Sequence, residues 1–96
     1  MSKSAREALA EMFRSAREAK GLSQSEFGVF LGVTGSYISK LESGANGAPS
    51  IELVMLLVEK FGVKRKPALQ ALKDAQAEVQ SEKWNRAMTR AGAEGT

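Results

Sequence analysis

Three glycines, at positions 28, 32 and 35, interrupt the stretch LSQSEFGVFLGVTGSYISKLESG (residues 22–44), whose pattern is otherwise helical. A glycine inside a helix costs about 1 kcal/mol relative to alanine, so each one needs a structural reason. Only Gly32 and Val33 separate two helical segments here, and two helices joined so tightly cross steeply. We expect Gly32 to supply the positive φ that reverses the chain, and Gly28 to lie where the helices approach most closely. The stretch predicts a helix-turn-helix.

Capping residues divide the whole chain into helices. Ser23 with Glu26 has the spacing of a capping box, in which each side chain bonds the backbone N–H of the other residue. No alternating strand pattern occurs in the sequence, so an all-α fold of five helices is predicted. The predicted helices begin after Ser4, Ser23, Thr34 and Ser50 and in the turn of Pro67, and they end at Gly21, Gly32, Gly44, Gly62 and about Arg90.

The fourth of these helices has a broad apolar stripe. Its apolar residues recur at helical spacing, so we expect them to form the face that packs on the core. The residues of this stripe are Ile51, Val54, Met55, Val58 and Phe61.

The composition excludes several classes of function. The chain of 96 residues has no cysteine and no histidine, which removes disulfides, Cys/His zinc sites, thiol nucleophiles and imidazole bases. Carboxylate pairs such as Glu52 and Glu59 are spaced like solvated helix faces. We therefore expect no catalytic residues, no metal and no cofactor. Without an apolar run of ~20 residues or a signal-peptide core, the sequence predicts a cytoplasmic protein with no membrane association.

The third helix has a polar outer face. Ile38 and Leu41 mark its buried side, and the opposite side is short, polar and nearly free of acid. Such a face allows a helix to enter a major groove closely, with hydroxyls and one lysine to meet base edges. The alternative is an ordinary solvated face, although those usually carry longer charged residues. The outer positions are Gly35, Ser36, Ser39, Lys40 and Ser43.

The stretch AREAKGLSQSEFGVFLGVTGSYISKLESG (residues 16–44), followed by P-S-I-E-L and FGV, resembles the Cro/CI-type (XRE, lambda-repressor-like) family of DNA-binding domains. The match covers roughly residues 10–63 and, more loosely, Leu69 and Leu72. It implies a five-helix lambda-repressor-like helix-turn-helix fold with double-stranded DNA as partner. Residues 1–66 then form the DNA-binding domain. For the segment beyond it, where the resemblance fades, we predict an extended C-terminal helix over residues 67–91 that serves dimerisation and a frayed tail over 92–96.

The resemblance also implies roles for individual residues. Gln24 matches a residue that contacts phosphate and supports the recognition helix. Tyr37 lies on the flank, where its hydroxyl reaches phosphate or its ring packs over the seam between helices 2 and 3. Gly35 departs from the long polar residue that is frequent in the family, so sequence preference has to come from Ser36, Lys40 and DNA shape. The base-contact candidates are Gly35, Ser36, Ser39 and Lys40, and the phosphate candidates are Gln24, Thr34, Tyr37, Ser43 and Asn46.

Two further features concern stability and assembly. Arg17 and Glu42 match a buried ion pair of some relatives, and the alternative is two unrelated surface charges. In the fifth helix, Trp84 and Met88 lie about 120° round from the apolar residues of its first half. We predict that Val79, Trp84 and Met88 form a dimer interface. The alternative is that Ser81 breaks the helix and a sixth helix folds back on the same subunit.

The predicted function is a sequence-specific transcriptional regulator, in its simplest form a small repressor that binds a palindromic operator as a homodimer. A second hypothesis is an antitoxin or adaptor that uses the same fold to hold a protein partner. A neighbouring toxin gene, or co-purification with its product, would distinguish the two.

Overall fold

The computed structural model describes residues 4–44 and 47–94, with side chains described as far as residue 89. Within these ranges the chain forms five helices and no strand, which confirms the all-α prediction. None of these helices is long and apolar enough to cross a lipid bilayer. The helices are α1 (Ala5–Ala19), α2 (Gln24–Leu31), α3 (Gly35–Glu42), α4 (Ile51–Phe61) and α5 (Arg65–Glu94).

The helices begin at the capping residues that the sequence indicates. The Ser23 hydroxyl accepts the backbone N–H of Glu26, whose carboxylate accepts the backbone N–H of Ser23, so the capping box is complete. α2 ends at Gly32, with φ of 73°, and α4 ends at Gly62, with φ of 71°. Both are left-handed conformations that residues with a Cβ rarely adopt. The same capping contact, in which the third backbone N–H of the helix donates to a hydroxyl oxygen, occurs at Ser4, Thr34 and Ser50.

The core lies where α1, α2, α3, α4 and the first half of α5 meet. Phe13 and Phe27 are wholly buried, and the ring of Phe27 packs edge-to-face on Phe61 with centroids 4.9 Å apart. The predicted stripe of α4 is right for Val54, which is wholly buried, and for Val58 and Phe61, which pack against the core, but wrong for Ile51, which is 52% exposed. Apolar residues occur nearly all round this helix, so periodicity alone left its orientation open. Its buried residues are Leu53, Val54 and Leu57.

α5 is one continuous helix of 30 residues, so the predicted alternative of a break at Ser81 is wrong. Its first half covers the core through Leu72 and neighbouring alanines, all buried. The carboxylate of Glu78 then accepts the first backbone N–H groups of α1, including that of Arg6 at 3.1 Å. Negative charge at a helix N-terminus is stabilising, so this contact fixes α5 across the start of α1. From residue 81 to 89 every residue of α5 is exposed.

Candidate nucleic-acid interface

The turn between α2 and α3 depends on the absence of two side chains. A Cβ added to Gly28 would lie 2.5 Å from the carbonyl oxygen of Val33, closer than real Cβ atoms approach backbone. Gly32 has the positive φ that the sequence predicts. The first two glycines of the stretch are therefore explained by the close crossing of α2 and α3, as predicted. Their effect is to hold α3 at one fixed distance from α2.

Gly35 has a second close contact that the sequence did not reveal. A Cβ at this position would lie 2.8 Å from the Ser25 hydroxyl oxygen and 3.1 Å from the Ser25 Cα. The side-chain direction of Gly35 is thus toward the first turn of α2. Only the backbone atoms of Gly35 are left to contact a base. The predicted base contact of this residue is therefore limited to its backbone and stays a prediction.

The outer face of α3 is open to solvent. Ser36, Ser39 and Lys40 are all exposed. The only acidic residue of α3 is Glu42, and its side chain is buried. The face borders an open hollow of about 420 Å³ beside the loop that follows α3. Hydroxyls and an ammonium group here are the donors and acceptors that read base edges in a major groove. The hollow is lined by Thr34, Ser36, Tyr37, Lys40, Gly47 and Ala48.

Three of the residues predicted to contact phosphate, Thr34, Tyr37 and Ser43, lie in or next to α3 and differ in the contacts that they make within the protein. The Thr34 hydroxyl accepts the backbone N–H of Tyr37 at 3.0 Å, as an N-cap. Tyr37 is half-buried against the core, and burial raises the pKa of its phenol, so the hydroxyl keeps its proton and can donate. The Ser43 hydroxyl donates to the carbonyl of Lys40 at 2.7 Å. Asn46 lies outside the described residues.

The structure brings Arg17 and Glu42 together in a two-pronged contact. The guanidinium Nε and Nη2 atoms donate to the two carboxylate oxygens at 2.7 and 2.9 Å. The Glu42 side chain is only 2% exposed. Burial alone would raise the pKa of Glu42, but the hydrogen bonds from Arg17 and Gln24 outweigh it, so this pKa lies below its ordinary value. The pair joins α1 to the C-terminal end of α3.

Two further residues that the sequence did not assign to this cluster complete it. Arg14 donates to the Glu42 backbone carbonyl at 2.6 Å, and its Nε lies 3.7 Å from the carboxylate. Gln24, predicted only as a phosphate contact and support of α3, donates to the Glu42 carboxylate at 3.2 Å. Arg14 precedes Arg17 by three residues, which places both on one side of α1. That spacing is the signal from which the wider cluster could have been found.

The α2–α3 unit (residues 24–42) is poor in positive charge. Lys40 is its only basic residue, against the two acidic residues Glu26 and Glu42. Arg17 compensates the charge of Glu42, while Glu26 is exposed and engaged in its capping box. The surface that offers hydrogen bonds to bases thus offers little attraction to phosphate.

Comparison with known proteins agrees with this geometry. A family model described as helix-turn-helix, of the XRE (Cro/CI) type, matches residues 13–66, which is more than half of the chain. This stretch runs from α1 to the start of α5 and includes the whole α2–α3 unit. Domains of this kind are DNA-binding regulatory domains and typically have no enzymatic activity. No curated protein and no solved structure matches the chain.

Proposed function

The chain belongs to the Cro/CI-type (XRE) helix-turn-helix family of DNA-binding transcription regulators, and we propose that it is a small dimeric repressor of a palindromic operator. The observation that carries this proposal is the outer face of α3. This face is exposed and consists of short polar side chains and one lysine. The close contact at Gly28 holds α3 against α2, and the Arg17–Glu42 pair holds it against α1. A rigid helix with a face of this kind can enter a major groove and hold its side chains in one register.

The free part of α5 (residues 81–89) supports the dimeric half of the proposal. Trp84 is 66% exposed and Met88 is 54% exposed, one helical turn apart. Large apolar side chains exposed side by side usually mark an interaction surface. Val79, the third predicted interface residue, lies instead beside Gly47 of its own chain, so the interface rests on the other two. Regulators of this type bind two half-sites about one turn of DNA apart, which suits a two-fold dimer.

Selection of bound sequences from a pool of random duplexes tests the proposal. We expect enrichment of two half-sites related by a dyad, with centres about 10 base pairs apart. A selection that enriches no sequence would reject specific DNA binding. Enrichment of a single half-site without a dyad would reject the dimer. Repression is then tested by placing the selected site over the promoter of a reporter gene.

A second candidate function, an antitoxin or adaptor, is favoured by one patch at the end of α2. Val29 is 80% exposed and Phe30 is 49% exposed, and the Phe30 ring packs edge-to-face on Phe61 with centroids 6.0 Å apart. This patch gives a protein partner an apolar surface to cover. Co-expression with the product of the adjacent gene tests it. A stoichiometric complex that Val29→Ser with Phe30→Ser abolishes would support this function.

A further inference from the structure

The shortage of positive charge on the α2–α3 unit raises the question of what binds the DNA backbone. Protein–DNA affinity depends largely on lysine and arginine side chains that neutralise phosphates. The unit has Lys40 alone, and Arg17 of α1 is already engaged by Glu42. Beyond Lys40 and the half-exposed Arg14 of α1, further cations for the flanking phosphates are to be sought on other elements at the edge of the α3 face.

α5 passes beside this edge at Val79. A Val79 methyl group lies 3.8 Å from the position that a Cβ on Gly47 would occupy. Gly47 and Ala48 in turn line the hollow next to Ser36 and Lys40. The loop residue Gly47, which borders the α3 face, thus lies next to α5 at Val79, and α5 continues beyond this point.

Two basic residues follow on the Val79 side of α5. At 100° per residue, Lys83 lies about 40° from Val79 round the helix and Arg86 about 20° from it in the other direction. They lie about 6 and 10 Å further along the axis. Both are exposed, and neither has an ion-pair partner among the described side chains. Glu82 also lies about 60° from Val79 on this side, but it is paired with Arg6, so Lys83 and Arg86 are left as the unpaired charges among the described residues directly beyond the loop.

We propose that Lys83 and Arg86 bind backbone phosphates that flank the half-site read by α3, an inference that rests on the proposed DNA binding. Such contacts add affinity and fix the register of the protein on the duplex without reading sequence. Trp84 and Met88 lie about 140° and 180° round from Val79, so both are about 160° from Arg86, and they are about 100° and 140° from Lys83. The free part of α5 therefore presents one side to DNA and leaves the other for a second copy.

The other end of the same helix supplies a matched control. Arg65 and Lys66 are also exposed, but they lie about 25 Å from Lys83 along α5. Lys83→Ala with Arg86→Ala and Arg65→Ala with Lys66→Ala remove the same charge from the same helix. Any effect of net charge alone is therefore equal in the two double variants.

The test measures the salt dependence of binding of the full-length protein to a duplex that extends beyond both half-sites. Each copy of the dimer loses two phosphate contacts, so K83A/R86A removes about four in all, and we expect the slope of log affinity against log salt to fall by about 3.6, since each contact contributes about 0.9. Between 50 and 200 mM salt the wild type then loses on the order of 100-fold more affinity than this variant. R65A/K66A keeps the wild-type slope. On a duplex trimmed to the half-sites, the slopes of wild type and K83A/R86A converge.

Three results would overturn the proposal. One is an unchanged slope for K83A/R86A on the long duplex, with wild-type DNA binding otherwise intact. Another is an equal loss for both double variants. The third is dissociation of K83A/R86A in sedimentation at concentrations where the wild type is dimeric, because that assigns the two residues to the interface. A wild type that binds no duplex at all would instead reject the proposed function itself, and this inference with it.

Discussion

Residues 24–42 combine buried side chains with close backbone contacts, whereas every residue from 81 to 89 is exposed. In the α2–α3 unit, the Val33 carbonyl oxygen lies 2.5 Å from the place of a Cβ on Gly28, and a buried carboxylate receives two donors from Arg17. In the free part of α5, the contact of Glu82 with Arg6 is the only such tie among the described side chains. The difference teaches that substitutions of the buried or closely packed residues of the first region change the fold as well as binding, while those in the second region test binding and assembly with little effect on the fold.

The largest expected effect is that of removing the carboxylate of Glu42. Glu42→Ala leaves Arg17 without its buried partner, and we expect the free energy of unfolding to fall by about 3–5 kcal/mol. Glu82→Ala, which removes a half-exposed partner of Arg6, should cost under about 1 kcal/mol. Denaturant titration measures both. Unchanged stability of both Glu42→Ala and Arg17→Ala would remove the contrast between the two regions.

The same ion pair predicts how stability depends on pH. Although burial opposes it, the hydrogen bonds from Arg17 and Gln24 hold the pKa of folded Glu42 below its ordinary value. Its contribution is therefore complete at neutral pH and is lost as the pH falls from the ordinary value through the lowered one. The stability difference between wild type and Glu42→Ala should shrink over that interval. A difference that stays constant in acid would contradict the pair.

A smaller loss is expected from Gly28→Ala. Alanine gains about 1 kcal/mol in helix propensity, but its Cβ would meet the Val33 carbonyl at 2.5 Å, and overpacking of this kind costs about 1–3 kcal/mol. We expect a net loss of stability in thermal or denaturant unfolding. Gly47→Ala is the control, because its Cβ meets only Val79 at an ordinary 3.8 Å. If the Gly28→Ala variant were more stable than wild type, the Val33 backbone would have to move away from the added Cβ at little cost in free energy.

Lys40→Ala should affect binding and leave the fold intact. Lys40 is exposed, so we expect its loss to change the free energy of unfolding by under about 0.5 kcal/mol. Operator binding should weaken by about 1–3 kcal/mol, with relaxed preference at one base pair. Lys73→Ala, an exposed lysine of α5, serves as the control. Equal weakening of operator and random DNA would mean that Lys40 contacts phosphate and no base.

The smallest effect on stability, and the clearest effect on assembly, is expected from Trp84→Ala with Met88→Ala. Both side chains are exposed in the single chain, so folding of the dilute protein should change by under about 0.5 kcal/mol. Sedimentation should show a monomer where the wild type is dimeric. A large loss of stability at low protein concentration would mean that the two residues pack on their own domain.

Local signals in the sequence predicted much of this fold. Ser23, Gly32 and Gly62 act within one turn of their own helix, so their roles could be read without knowing the neighbours. The orientation of α4 and the exposure of Ile51 could not be read, since that helix has apolar residues on nearly all sides. The continuity of α5 through Ser81 was likewise open, because serine neither requires nor forbids a helix end there.

The candidate site divides in the same way. Resemblance indicated the pairing of Arg17 with Glu42, and the structure brings the two together. The donors Arg14 and Gln24 were missed because their contacts join α1, α2 and α3, which only the packed fold brings within reach. The contact of Gly35 with Ser25 was missed for the same reason, since a glycine has no side chain from which to infer a partner.

That last contact governs how this protein could be retargeted to a new DNA sequence. A common engineering strategy exchanges the outer residues of a recognition helix and leaves the scaffold untouched. Here any side chain grafted at Gly35 meets the Ser25 hydroxyl at 2.8 Å before it can reach a base. A library for altered specificity therefore has to vary position 25 together with position 35, and a side chain at position 35 still has to fit against the Ser25 Cα at 3.1 Å.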